Sequence, residues 1–402
     1  MFKKALASGF VFALVFCACG AAGRTSGEAR DAVARTSGAP EGESEARGPA
    51  VDGAALAAAE AWALKLDESA LAGQLIIAGI DARGIPSEEE SARLAQIRPG
   101  AVMLFRKNLA SDDRIRAMTA AVCRAVEAGG EGVTPFIACD QEGGAVQRVR
   151  GNAWLDAPAA YTELVASQGR ESVLTLIEAD ARRAAEVLSS LGINMNFAPV
   201  AEPLTDDNAA FLGERSYGRD AAWVTLAALA FMRGMEAGGA ASVIKHFPGH
   251  SGADPHEALP VLLADTEMLE ARAAPFYAAF ARGAPAAVMV AHTLVPAWDW
   301  DYGASQSEVI LTQKIKAEGA FGGIVIADDF SMAASQETPE AAAVRAIAAG
   351  ADMVMAWPKN LSAVHRALLE GLAGGALSHE RMRDAARRVI YQKIRFGLLS
   401  PR

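Results

Sequence analysis

From Ala55 onward the chain repeats one unit: a short apolar run, a polar turn, then an Ala- and Leu-rich stretch. The runs are Gly73 to Ile80, Ala101 to Phe105, Phe136 to Cys139, Ile193 to Phe197, Ser242 to Lys245, Ala287 to Ala291, Gly323 to Ala327 and Ala351 to Ala356. They are almost continuously apolar rather than alternating, which suits strands covered on both faces of a parallel sheet. Between them, Glu171 to Ser190 sets Val173, Leu176, Ile177, Ala181, Ala184 and Leu188 at helical spacing, and Ala221 to Glu236 repeats the pattern. Eight such units in a chain of 402 residues, 51% of them hydrophobic, predict an α/β fold, a single (β/α)8 TIM-type barrel, rather than an open sheet, which more often uses fewer strands.

A barrel of this kind carries its polar machinery at the C-terminal ends of the strands. Asp140-Gln141-Glu142 follows the third run, Asn196 closes the fourth, Lys245-His246 the fifth, His292 the sixth and Asp328-Asp329 the seventh. Five of eight runs therefore end in ionisable or amide groups while their bodies are apolar.

The densest of these ends is Ile244 to Pro260, which gathers three of the six histidines. Its three prolines and two glycines predict an irregular loop. His246 and His250 stand four apart, as in a zinc-protease helix, but Pro248 and Gly249 lie between them and that motif's glutamate is missing, so no metal and no cofactor are expected. Lys245, directly after an apolar strand, is costly at a barrel mouth unless a ligand or a carboxylate meets it. His246 reads either as a site residue or as a strand-end histidine bonded to backbone, and His250 reads as a loop stabiliser.

In Asp254-Pro255-His256 an extended segment can turn the carboxylate and the ring to one side. The carboxylate would then accept the ring N–H and favour the imidazolium, giving a proton donor usable near neutral pH. Asp328 closes the seventh run, where an ionised carboxylate can attack a sugar's anomeric carbon or stabilise a positive centre. Asp329 sits where it would cap a following helix. Paired glycines in Asp140-Gln141-Glu142-Gly143-Gly144 permit a tight turn, and the segment lacks the pattern of a phosphate-binding loop. Asp140 and Arg148 are suited to holding hydroxyl or carbonyl groups, and Arg215 is a further candidate donor.

Lys3 and Lys4 precede an apolar run from Ala5 to Cys17, too short to span a bilayer comfortably and built like a secretory signal. Residues 1–19 are read as that signal, with Cys17 or Cys19 in a loose lipoprotein context; simple secretion is the alternative. Residues 20–54 have almost no large apolar side chains and read as a flexible tether, leaving 55–402 for the barrel. The expected location is the bacterial cell envelope, with the membrane touched only through the N-terminal lipid. Cys139, in an apolar run, reads as a small buried hydrophobe. A net charge of -10 with no basic clusters argues against a nucleic-acid partner. Oligomeric state is not encoded legibly.

Together these pieces resemble the single-domain β-N-acetylhexosaminidases of glycoside hydrolase family 3, which remove N-acetylglucosamine from cell-wall fragments. The resemblance rests on Asp140-Gln141-Glu142-Gly143-Gly144 with Arg148, Asn196-Phe197-Ala198-Pro199-Val200, Glu214-Arg215-Ser216-Tyr217-Gly218, Lys245 to His250, Ala291-His292 and Asp328-Asp329-Phe330-Ser331-Met332, in the family's order between about Leu71 and Leu399. It implies Asp328 as nucleophile and His256, paired with Asp254 on a mobile loop, as general acid/base. It also implies a sugar subsite lined by Asp140, Arg148, Arg215, Lys245 and His246. Two departures stand out: the span from His250 to Asp254 is about two residues shorter than the family pattern, and proline replaces the usual serine between Asp254 and His256.

The implied activity is retaining, exo-acting release of terminal N-acetylglucosamine from cell-wall or chitin-type glycans. Two alternatives are compatible with the same residues: phosphorolysis, because a histidine repels an anionic acceptor less than a carboxylate does, and an inactive, lipid-anchored sugar-binding protein.

Overall fold

Each apolar run becomes a strand because β-branched and small side chains can be covered on both faces at once. The structure, a computed structural model, describes residues 52–130, 133–282, 285–332 and 337–401. Its barrel strands are β1 (Ile76–Gly79), β2 (Ala101–Leu104), β3 (Phe136–Cys139), β4 (Met195–Asn196), β5 (Ala241–Phe247), β6 (Ala287–Val290), β7 (Ile324–Ala327) and β8 (Val354–Ala356). All neighbours pair in parallel, in the order β7-β6-β5-β4-β3-β2-β1-β8. A bridge between Ile326 and Met353 joins β7 to the approach of β8 and closes the ring. The expected (β/α)8 architecture is therefore present.

Strand alternation divides the core into two layers. Ile77, Met103, Ala138, Val243, Met289 and Ile326 belong to one buried cluster. The intervening Ile76, Val102, Ile137, Ile244, Val288 and Val325 join another, shared with the surrounding helices. Cys139 lies in this second layer, fully buried, with its thiol pushed up by burial. It is a packing residue, as its apolar surroundings in sequence suggested.

Several strand ends differ from the sequence reading by one to three residues, and three of the differences have a clear physical cause. Gly73, taken as the start of the first strand, belongs to the helix Glu68–Gln74. A Cβ there would stand 1.8 Å from the Ile97 carbonyl oxygen, so the glycine serves a close backbone approach rather than a strand. β4 is only two residues long, although Asn194 and Phe197 continue its ladder to Ile137 and Cys139. β5 runs on through Lys245, His246 and Phe247, so the irregular loop begins at Pro248 rather than at Ile244.

The extension of β5 is held by packing. Phe247 is fully buried, edge-on to Phe276 at 5.4 Å and stacked with Trp298 at 6.1 Å. Burying such a ring contributes roughly 1.5–3 kcal/mol, enough to anchor the strand end that carries Lys245 and His246.

The helix Gly53–Lys65 is capped by the Asp52 carboxylate, which accepts from the backbone N–H groups of Ala54 and Ala55, and it packs on the last helix, His379–Arg395. It begins two residues before the end of the stretch read as a tether. The rest of that stretch, and the signal with Cys17 and Cys19, lie outside the described residues.

Candidate active site

The site grows from the turn after β3, where Gln141–Gly143 pairs with Val146–Gln147 as a hairpin. Gly143 and Gly144 have φ values of 111° and 56°, which side-chain-bearing residues rarely adopt. Buried Gln141 ties the hairpin down: its amide donates to the Val149 and Ala153 carbonyls at 2.9 and 2.8 Å, and its oxygen accepts from the Arg148 and Val149 N–H groups. Asn196, at the end of β4, exchanges two hydrogen bonds of 2.9 Å with the Gln141 backbone. The turn that aims Asp140, Glu142 and Arg148 is thus fixed to two strands.

Lys245 points into this turn. Its ammonium donates to Asp140 Oδ1 at 3.0 Å and lies 2.6 Å from Glu142 Oε1. Arg148 reaches Asp140 Oδ2 at 3.0 Å, and Arg215 holds Glu142 through Nε at 2.8 Å and Nη2 at 3.0 Å. Burial by itself would raise the Glu142 carboxyl, but the Lys245 and Arg215 cations outweigh it and hold the group at about 2. Burial likewise disfavours the Lys245 ammonium, and Glu142 and Asp140 more than offset this, raising it. The carboxylate that Lys245 required is therefore present twice over. Three cations and two carboxylates make a rigid wall of donors and acceptors suited to hydroxyl groups.

His246 and His250 converge on Glu202 rather than sharing a helical face. Glu202 Oε1 lies 2.7 Å from His246 Nδ1 and 3.0 Å from His250 Nδ1, and Oε2 accepts the His250 backbone N–H at 2.6 Å. Burial raises the Glu202 carboxyl, but the two imidazoles prevail and leave it well below the usual range. Burial lowers His246 to about 4, helped by His250 and opposed by Glu202. These three side chains bring ligand-capable atoms within 4.8 Å of one another, and the atoms just named are already joined by hydrogen bonds.

Asp328, at the end of β7, is 6% exposed. Burial raises its carboxyl, whereas His246, His292 and the Asp329 N–H lower it further, so it is ionised at neutral pH. That N–H donates to Asp328 Oδ1 at 2.8 Å. His292 braces the turn, with Nε2 2.9 Å from the Asp329 carbonyl oxygen and Nδ1 2.7 Å from Ser305 Oγ. Among the described residues Asp329 caps no helix. Its carboxylate accepts from the Ser331 backbone and hydroxyl and from Trp357 Nε1, while the helix Pro339–Ala349 is capped by Thr338.

The Asp254–His256 contact forms in a turn rather than an extended segment: the Asp254 carbonyl accepts from the N–H groups of Glu257 and Ala258. Asp254 Oδ1 lies 2.7 Å from His256 Nδ1 and accepts the His256 backbone N–H at 2.9 Å. That backbone bond, with the imidazole, lowers the Asp254 carboxyl. The His256 side chain is 63% exposed, placing it on the rim.

A cavity of about 300 Å³ unites the set. Asp140, Arg148, Arg215, Lys245, His246, His256 and Asp328 line it, and Asp254 stands behind His256. Sequence reasoning gave no role to Glu142, Glu202 or Trp357. Glu142 sits within a motif it had noted, and Glu202 follows the fourth strand as the other polar groups follow theirs. Trp357 directly follows β8, meets Phe105 edge-on at 5.2 Å and forms an aromatic wall that a search for ionisable groups passes over.

A buried ionised carboxylate and a carboxylate-backed histidine around a polar pocket, at the C-terminal mouth of a closed barrel, define a glycosidase-type (β/α)8 enzyme. The chain belongs to glycosyl hydrolase family 3: the family's N terminal domain matches residues 68–391. It is 35% identical to the beta-hexosaminidase of Neisseria gonorrhoeae over 251 residues, 61% of this chain and 67% of that protein. With the beta-hexosaminidase of Chromobacterium violaceum it shares 34% identity over 275 residues, 67% of this chain and 74% of that one. Among solved structures, the family 3 β-N-acetylglucosaminidase of Paenibacillus superposes with a TM-score of 0.76 at 30% identity, covering 83% of this chain, which spans 63% of that enzyme. The NagZ protein of Neisseria gonorrhoeae, solved with N-trifluoroacetyl-D-glucosamine, gives a TM-score of 0.66 at 29% identity, covering 81% of this chain and 98% of that one.

Proposed function

We propose that this protein is an exo-acting, retaining β-N-acetylglucosaminidase that releases terminal N-acetylglucosamine from cell-wall or chitin-type glycans. The observation that carries the reading is the placement of Asp328: ionised and 6% exposed, in a pocket walled by Asp140, Arg148 and Lys245, with His256 on the rim. The wall binds the terminal hydroxyls, and Asp328 attacks the anomeric carbon. His256, held by Asp254, protonates the departing oxygen, then takes a proton from the water that releases the sugar. The relatives named as hexosaminidases, and the one solved with an N-acetylglucosamine analogue, support an amino sugar as substrate.

Export and lipid anchoring form part of the same proposal, resting on residues 1–19 alone. No helix among the described residues is long and apolar enough to cross a membrane. The test of function is turnover of an aryl β-N-acetylglucosaminide by the wild type and by Asp328→Ala. Loss of at least about a thousandfold is expected, and wild-type-like rates in the variant would sink the assignment.

A further inference from the structure

Glu202 has no role in the chemistry above, yet it is among the most enclosed carboxylates of the site, with a side chain 1% exposed. Among the described residues its carboxylate accepts from both imidazole Nδ1 atoms and from the backbone N–H groups of His246 and His250. An ionised carboxylate can only accept. Each Nδ1 that faces it must therefore carry a hydrogen. A neutral imidazole has one N–H, so the Nε2 of such a ring is a bare lone pair.

Both rings line the sugar pocket while Glu202 does not, and His246 is the ring for which this matters, because it directly follows Lys245 of the hydroxyl-binding wall and acts more strongly than His250 on Asp328. We infer that Glu202 is a positioning residue that locks His246 in the Nδ1–H tautomer, so that its Nε2 accepts a hydrogen bond from a substrate hydroxyl. Lys245, Arg148 and Arg215 can only donate, so a hydroxyl that accepts from one of them needs a separate acceptor for its own proton. Asp140 is one such acceptor in the wall and His246 supplies another, its ring held neutral near pH 7 because burial lowers it to about 4. The inference rests on the pocket being an amino-sugar subsite and adds the residue that sets its hydrogen-bond polarity.

The experiment has two independent readouts. Long-range proton–nitrogen correlation on ¹⁵N-histidine-labelled protein, assigned with His246→Gln and His250→Gln, reports the tautomer without any substrate. The wild type is expected to show Nδ1–H and bare Nε2 at His246, and Glu202→Asp to keep that signature. Glu202→Gln turns an amide toward one ring and is expected to change the tautomer of at least one histidine. The second readout is kinetic, on aryl N-acetylglucosaminides lacking one hydroxyl in turn. Glu202→Gln should lower kcat/KM about 30-fold on the full sugar and much less on the one deoxy sugar that lacks the partner hydroxyl, with Glu202→Asp restoring most of the loss.

An Nε2–H tautomer at His246 in the wild type overturns the inference even if Glu202→Gln fails to fold. Equal losses on every deoxy sugar overturn it as well. Absence of any turnover by the wild type, with the expected tautomer intact, counts against the proposed function instead.

Discussion

Lys245 Nζ and Glu142 Oε1 meet at 2.6 Å with side chains only 4% and 1% exposed. A lysine and a glutamate at the ends of different strands are thus taken out of water together, and Arg215 and Asp140 complete the set. Such a group is stable only as a whole, because removing one member leaves a buried charge without its partner.

Glu142→Gln should therefore do more than weaken binding. It leaves Arg215 facing a neutral amide and Lys245 with Asp140 alone, and is expected to cost about 3 kcal/mol of folding stability, read by urea denaturation. A shift under about 0.5 kcal/mol, the scale of an exposed pair, would show that the group is hydrated rather than locked.

The Asp254–His256 pair should reveal itself through the leaving group. His256→Asn is expected to slow glycosides with poor leaving groups about 100-fold or more, and activated aryl glycosides far less in the bond-breaking step. Asp254→Asn should follow the same trend with a smaller loss. A uniform loss across leaving groups in both variants would remove proton donation from their role.

Gly143→Ala tests how the hairpin aims the wall. With φ at 111° and only 2.2 Å between an added Cβ and the Asp156 carbonyl oxygen, the backbone must move. The expected cost is about 1–3 kcal/mol, with a rise in KM because Asp140 and Arg148 shift together. Crystals or amide shifts showing an unmoved hairpin with unchanged KM would contradict this.

Lys393 supplies a pH test far from the chemistry. It is fully buried with Nζ 2.7 Å from Gln74 Oε1, and burial pulls its ammonium down to about 7. Between that value and the unfolded value of about 10.4, only the unfolded chain holds the proton, so unfolding free energy rises with pH. Between pH 7 and pH 9 the wild type should gain about 2 kcal/mol relative to Lys393→Met. Parallel stability profiles for the two proteins would be the contrary result.

Much of this protein is legible in one dimension. Near-continuous apolar runs predicted eight strands buried on both faces, and the alternation of Ile76 with Ile77, or Val102 with Met103, between the two core layers is the physical reason. The polar residues at run ends were also legible, because a barrel places those ends at one mouth. The limits lay where chain order and contact part company. The strand start at Gly73 was misplaced because that glycine serves the close approach to the Ile97 carbonyl, a tertiary contact outside any local sequence window, and sits in the helix Glu68–Gln74. The premature end of β5 failed because Phe276 and Trp298, distant in sequence, hold Phe247 in line.

What the sequence by itself determined is the set of eight strands and the candidates Asp140, Arg148, Arg215, Lys245, His246, Asp254, His256 and Asp328, since strand burial and residue chemistry are local properties. Only the tertiary structure decided their partners: Glu142 for Lys245 and Arg215, and Glu202 for His246 and His250. Charge pairing depends on distance in space, and Glu202 and His246 are 44 residues apart along the chain but 2.7 Å apart in the fold.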